Sequence, residues 1–298
     1  MLDDSTKKSD DPILDANVGW NNAIDNYLLR PFHVRRVNLA MDMLRKAFNK
    51  SAAPGQKPVG IELGASGGEV AARIRDMGAN VIACDAEETA LAVAREKHGL
   101  ETKAFDVSKP FPFADGSLDF IYAGELIEHL YDTRKFLAEC NRVLKPEGTL
   151  VMTTPNLATL RDRFRFFAGD SPRQVNPMHR YLWLHIRPFT AKELEKDLAE
   201  AGFGDTVLKS NVLEIPLPSS PLKPLMKSKI LGKLLHKLGV RKVDEGRLQL
   251  ESTFLAKLFP SWSGSLITAS HKTAAAASAP VAQPGDCKPG KEKLFSKS

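Results

Sequence analysis

Between residues 58 and 156, short apolar runs alternate with helix-like segments, and the first run passes straight into glycines in "VGIELGASGGEVA", residues 59–71. A strand that ends near an acidic residue, turns on glycine and enters a helix forms a corner whose backbone can meet a ligand. Gly64 and Gly68 remove the Cβ atoms that would keep a ligand, or a neighbouring strand, away from that backbone. The alternation continues with apolar residues 81–84 before a helix over 87–98, a short strand near Phe105, residues 118–123 before a helix over 134–144, and residues 149–153. This order predicts an α/β fold, a parallel sheet with helices on both faces, with its ligands at the carboxyl ends of the strands. The dinucleotide pattern G-x-G-x-x-G is not met, because Ser66 stands where the second glycine is needed.

The remaining chain organises around that core. Residues 1–14 read as a disordered N-terminus, and 272–298, an Ala/Pro/Gly/Lys tail, as a disordered C-terminus unable to bury apolar surface. A single domain is expected over 15–271, with a helical prelude at 24–48, where Val34, Val37, Met41, Leu44 and Phe48 recur at helical spacing. Insertions are expected at 157–188 and 211–260. Between them "TAKELEKDLAEAGF" reads as a helix capped by Thr190 and stopped by Gly202, then a strand at 206–208; "WSGSLITAS" supplies a last strand. Cys84, Cys140 and Cys287 form no C-x-x-C pair, which argues against a disulfide framework or zinc knuckle and for a reducing cytoplasm. No apolar run approaches the roughly 20 residues of a membrane span, so a cytoplasmic protein is expected, either free or peripheral at the inner membrane surface.

Chemistry-bearing residues gather at one edge. Asp85 ends the second strand about 20 residues after the glycine loop, where a carboxylate can accept two hydrogen bonds from a ribose diol or, alternatively, cap the next helix. Asp106 follows the third strand. "LDFIYAGELIEHL" brings a fourth strand and its loop to the same edge, and "RVLKPEGTLVMTTPN" a helix, a turn and a fifth strand ending at Pro155 and Asn156. In this order the residues resemble the class I S-adenosylmethionine-dependent methyltransferases, of methyltransferase type 11 and ubiquinone-pathway O-methyltransferase type, over roughly 58–156 and again from "HIRPFTAKELEKDLAEAGF" onward. The resemblance implies a Rossmann-like seven-stranded sheet with helical insertions, and S-adenosyl-L-methionine as cofactor. It implies that Glu62, Gly64 and Gly68 hold the methionyl part, Asp85 the ribose, and Asp106 with Val107 the adenine. Ala65, Ser66, Ala86 and Gly124 complete the expected contacts. The chain departs from the family's D-x-G-x-G-x-G by Glu62 for Asp and Ser66 for the middle Gly; Ser66 loses backbone freedom but offers a hydroxyl to the ligand carboxylate.

"GELIEHL" puts Glu125 and Glu128 one turn apart, with His129 beside the second, if the loop is helical there. It is similar to the E-x-x-E-H of ubiquinone-pathway O-methyltransferases and of small-RNA 3′-terminal 2′-O-methyltransferases, which implies a divalent metal, Mg or Mn, on Glu125, Glu128 and His129. The same residues also fit a metal-free role, with His129 and Glu128 catalytic as base or acceptor contact, or a helix-capping role. His179, His185 and Arg187 flank the aromatic run "MHRYLWLHIRPFT" and could position an acceptor or edge a packed insertion. "RDRFRFF", residues 161–167, reads as a helix with one buried Phe face rather than a basic acceptor surface.

The net charge of +6 is concentrated rather than spread. Residues 221–242 hold Ile230, Leu231, Leu234, Leu235 and Leu238 at helical spacing beside Lys229, Lys233 and Lys237, which fits a cap helix packed on the catalytic domain or a helix in an anionic membrane surface. The expected activity is O-methylation of a small-molecule, glycan or lipid-linked acceptor. Two rivals are an RNA 2′-O-methyltransferase, for which stacking aromatics interleaved with the basic residues are missing, so nucleic acid is not an expected partner, and a catalytically silent cofactor-binding scaffold.

Overall fold

A computed structural model describes residues 30–51, 55–175, 185–217, 227–243 and 247–273. Strands β1 (Val59–Leu63), β2 (Asn80–Asp85), β3 (Glu101–Ala104), β4 (Leu118–Gly124), β5 (Leu144–Pro155), β6 (Phe203–Lys209) and β10 (Ser265–Lys272) form one seven-stranded sheet in the order β3-β2-β1-β4-β5-β10-β6. β1 to β5 pair in parallel, and β10 inserts antiparallel between β5 and β6. Helix α1 (Pro31–Ser51) precedes the sheet; α2 (Glu69–Asp76), α3 (Glu88–His98), α4 (Thr133–Val143) and α6 (Ala191–Glu200) connect its strands. The expected Rossmann-like seven-stranded architecture is the one observed.

The strand β4 shows why the sheet is covered on both sides. Phe120 and Tyr122 point into a core with Val37, Leu44 and Ile74 from α1 and α2, while Ile121 and Ala123 point into a second core with Phe136 and Leu137 from α4 and Leu194 from α6. Successive side chains of a strand face opposite ways, so an unbroken apolar run is stable only between two helical layers. α6 begins at the expected Thr190, whose side chain accepts the Glu193 N–H in a reciprocal capping box.

The second insertion departs from the expected helices. It contains α7 (Lys229–Lys237) and α8 (Thr253–Leu258), but also a three-stranded antiparallel sheet ordered β7-β9-β8, from β7 (Leu213–Leu217), β8 (Val240–Val243) and β9 (Arg247–Ser252). Pro216 is tolerated because β7 is an edge strand. In the first insertion "RDRFRFF" forms most of α5 (Leu160–Phe167), yet Phe164, Phe166 and Phe167 are exposed rather than buried, because the face turned to the protein is held by the buried Asp162 and its cap Thr159. Residues 1–29 and 274–298, which include most of both expected disordered ends, lie outside the described residues; β10 itself runs to Lys272.

Candidate active site

The glycine corner is built around backbone that only some residues tolerate. Gly64 and Gly68 have φ of +69° and +82°. A Cβ at Gly68 would lie 2.7 Å from both the Ala94 Cβ and the Leu100 Cδ1, so α2 can start against α3 only with glycine there. Ser66 is also left-handed, at φ +46°, a conformation costing an L-residue about 1–2 kcal/mol. Its N–H donates to Asp85 Oδ2 at 2.9 Å, and Asp85 Oδ1 accepts the Glu87 N–H at 3.0 Å. Asp85 therefore bolts the loop after β1 to the loop after β2, and is not the helix cap, which falls at Glu87. An ionised carboxylate has about four acceptor sites, so two remain for a diol.

Glu62 stands beneath this corner, 4% exposed. Burial pushes its carboxyl well above the ordinary range, against the Ala71 N–H in the first turn of α2, with the Glu69 and Asp85 charges pushing the same way as burial. Its Oε2 has no hydrogen-bond partner. A buried, unpaired acceptor of this kind calls for a cationic donor. Ala65 is buried, its N–H bonded to the Cys84 carbonyl; Ala86 is exposed; Gly124 ends β4, where a Cβ would lie 2.6 Å from Tyr122 Oη. Asp106 is exposed, two residues beyond β3, and its bond from the Ser108 N–H holds its carboxyl below the usual value; Val107 packs at the edge of the second core. These residues thus stand at the ends of four neighbouring strands.

The loop after β4 does not become one helix. Glu125 is left-handed at φ +53°, and a single 3₁₀ turn, Ile127–His129, follows. The Glu125 carboxylate is taken up by other partners: Oε2 pairs with Arg36 Nη1 at 2.6 Å and Oε1 accepts from Thr153 Oγ1 at 3.0 Å. Glu128 is 1% exposed, its Oε2 accepting from Thr154 Oγ1 at 2.9 Å and its Oε1 unbonded, 4.0 Å from His129 Nε2. Burial first, then the Glu125 charge, raises its carboxyl well above the ordinary range. His185 completes the group: its ring stands edge-on to that of His129, centroids 4.9 Å apart, and its Nδ1 meets Gln174 Oε1 at 2.9 Å. Ligand atoms of Glu128, His129 and His185 all lie within 4.8 Å of one another. The set gathered here is therefore Glu128, His129 and His185, not Glu125, Glu128 and His129. A cleft of about 460 Å³ is walled by Tyr131, Arg134, Ile186 and Phe189, which follow His129 and His185 in the chain, but none of Glu128, His129 and His185 lines it; the Arg187 N–H bonds the Glu128 carbonyl at 3.0 Å. His179 lies outside the described residues.

Sequence reasoning missed Arg36, Thr153, Thr154 and Gln174. Arg36 did carry a signal, because it falls on the apolar face of α1 beside Val37 and Ala40, where an arginine is rarely buried without a partner. The threonines, inside an apolar strand, carried none.

A doubly wound sheet of this order with a glycine corner and strand-end carboxylates defines a Rossmann-like methyltransferase fold. Residues 61–152 match the family model described as "Methyltransferase domain". The chain is 35% identical over 150 residues to the Probable S-adenosylmethionine-dependent methyltransferase of Mycobacterium tuberculosis strain H37Rv, covering 50% of this chain and 49% of that protein. It is 26% identical over 174 residues to the Ubiquinone biosynthesis O-methyltransferase of Rhizobium rhizogenes, covering 56% and 68%. Thus the chain spans about half the length of the mycobacterial relatives it matches. Among solved structures, phosphoethanolamine N-methyltransferase 2 of Haemonchus contortus in complex with S-adenosyl-L-methionine superposes with a TM-score of 0.53 at 17% identity, covering 90% of this chain and 61% of that one, which shows the shared fold. The methyltransferase-domain match over residues 61–152, the methyltransferase-named relatives and the shared fold support a class I S-adenosylmethionine-dependent methyltransferase, a family whose cofactor is S-adenosylmethionine.

Proposed function

We propose that the chain methylates a hydroxyl oxygen of a small-molecule, glycan or lipid-linked acceptor, using S-adenosylmethionine at the glycine corner and Glu128, His129 and His185 on the acceptor side. The residues fit the cofactor: the unpaired, buried Glu62 Oε2 offers an acceptor to an ammonium group, the left-handed loop Gly64–Gly68 bares backbone, and Asp85 retains lone pairs for a ribose. The bound cofactor supplies an already activated methyl group, so the protein has only to align the acceptor and remove its proton. His129 accepts the proton of the acceptor hydroxyl, and the unbonded Glu128 Oε1, 4.0 Å from His129 Nε2, faces the imidazolium that results. Arg36 and Thr153 hold Glu125, and with it the loop that carries the dyad. The observation that carries this reading is the convergence of Glu128, His129 and His185 at the carboxyl end of β4. The name of the Rhizobium relative agrees with oxygen as the atom methylated.

The same convergence favours a second reading, in which a divalent cation such as Mg or Mn is held by one carboxylate and two imidazoles. Both are tested by incubating the purified chain with labelled S-adenosylmethionine and extracts lacking this protein, then identifying the labelled product. Base-assisted transfer predicts that a chelator leaves turnover intact while His129→Ala lowers it about 10²- to 10⁴-fold. Metal-assisted transfer predicts that the chelator abolishes turnover, that Mg or Mn restores it, and that cofactor binding survives. Full turnover by His129→Ala on the labelled acceptor overturns both.

A further inference from the structure

Large apolar side chains exposed to solvent are concentrated on the insertions. Ten of the fifteen among the described residues lie on α5, on α7 and its C-cap Leu238, on α8 and on the turn after α8. Along α7 and its helical C-cap, Ile230, Leu234 and Leu238 are 85%, 50% and 61% exposed, at four-residue spacing, and therefore form one outward stripe. Lys229, Lys233 and Lys237, all exposed, form a second stripe one position away. Leu231 and Leu235 are only half-buried, and α7 rests against β8. A cap helix would turn its apolar stripe inward; this one keeps Ile230, Leu234 and Leu238 in solvent.

A second group sits against β7, the opposite edge strand of the same small sheet. α5 and α8 both contact β7, and they expose Phe164, Phe166, Phe167, Phe254 and Leu258, followed by Phe259 and Trp262. Arg163 lies over the Trp262 ring at 5.7 Å. Scattered exposed apolar residues are ordinary, but aromatic and aliphatic side chains gathered on one structural unit mark a surface that is covered in use.

Charge identifies the cover. From Lys223 to Lys242 the chain carries seven bases and no acid. We propose that α7 is a peripheral docking surface for an anionic phospholipid bilayer. An interfacial helix needs an apolar stripe to enter the acyl boundary and a basic stripe beside it to reach phosphates, and α7 has the two side by side. A nucleic acid would use the lysines and leave Ile230, Leu234 and Leu238 without a role. The docking unit is also tied to the acceptor-side residues. Arg173 Nη2 meets Glu214 Oε2 on β7 at 3.1 Å, and the adjacent Gln174 holds His185. This inference goes beyond the methyl-transfer reading and does not depend on it.

The test is sedimentation of the full chain with vesicles of phosphatidylcholine alone or with one third phosphatidylglycerol. Binding is expected only to the anionic vesicles and is expected to fall as salt is raised. Each lysine near such a surface strengthens partition about fivefold, so the combined Lys229→Glu, Lys233→Glu, Lys237→Glu variant should lose about a hundredfold or more. Ile230→Ser, Leu234→Ser, Leu238→Ser should lose at least tenfold at low salt. Both variants change exposed positions, and an unaltered thermal shift with S-adenosylhomocysteine checks their fold. Equal recovery with neutral and anionic vesicles overturns the proposal. So does full vesicle binding by the serine variant, alone or with retained binding of single-stranded RNA, which assigns the lysines to a polyanion. So does a dimer of the native chain that the serine variant dissociates while vesicle binding is absent in both.

Discussion

The Glu62→Gln substitution separates what the site costs the fold from what it does for the cofactor. Glu62 is buried, one of its oxygens lacks any partner, and burial raises its carboxyl well above the ordinary value of 4.5. In the pH range between 4.5 and that raised value, the folded state holds a proton that the unfolded state has released. Stability of the native chain therefore falls as pH rises through this window and is undiminished below it. An amide of the same shape keeps an acceptor for the Ala71 N–H and has no charge to desolvate, although its own N–H groups remain buried. A neutral unsatisfied group costs about 1–3 kcal/mol and a charged one more, so the variant should be more stable than the native chain by about 1–2 kcal/mol at pH 8. At about 2–4 °C per kcal/mol for domains of this size, that is a rise in Tm of about 2–8 °C, shrinking toward zero near pH 4.5. Affinity for S-adenosylmethionine should move the other way, weakening about ten- to a hundredfold as a charge-assisted hydrogen bond is lost. Thermal unfolding across pH and calorimetry with the cofactor read both effects. A variant less stable at pH 8, or a stability difference independent of pH, or an unchanged affinity, would refute the reasoning.

Arg36→Ala leaves the Glu125 carboxylate without its cation and should cost about 3 kcal/mol in urea unfolding, with a smaller loss when Glu125→Gln is added; additive losses would show that the pair does not interact. Gly68→Ala adds a methyl group 2.7 Å from Ala94 and Leu100 at a left-handed position and should destabilise by about 2–4 kcal/mol, measured by calorimetric Tm; a change under about 0.5 kcal/mol would contradict the packing described.

The sheet was legible because its interior strands are apolar throughout and its helices are bounded by residues with unambiguous roles, such as the Thr190 cap. Where that contrast fades, so does the reading. β3, residues Glu101, Thr102, Lys103 and Ala104, lies at the sheet edge with little buried side chain, so its position was expected nearer Phe105. The small sheet was not legible at all, since Pro216 in β7 and the charged, mixed composition of β8 and β9 hide their pairing. The glycine corner follows from local spacing, since Gly64, Ser66 and Gly68 are the residues that take left-handed backbone there. The acceptor side depends on contacts far apart in sequence. Arg36 and Thr153 engage the Glu125 carboxylate, and Gln174 bonds the His185 ring that stands against His129, so the spacing of Glu125, Glu128 and His129 alone points to a different trio.

Titration calorimetry of the native chain and its Asp85→Ala variant with S-adenosylmethionine asks whether the glycine corner holds this cofactor. The account predicts one saturable site in the native chain. Asp85→Ala removes the acceptor of the Ser66 and Glu87 N–H groups and the expected ribose contact, and binding should weaken by about 1–3 kcal/mol, about 5- to 150-fold. The account is contradicted if the native chain shows neither heat nor a thermal shift with the cofactor or its demethylated product, or if Asp85→Ala binds as tightly as the native chain.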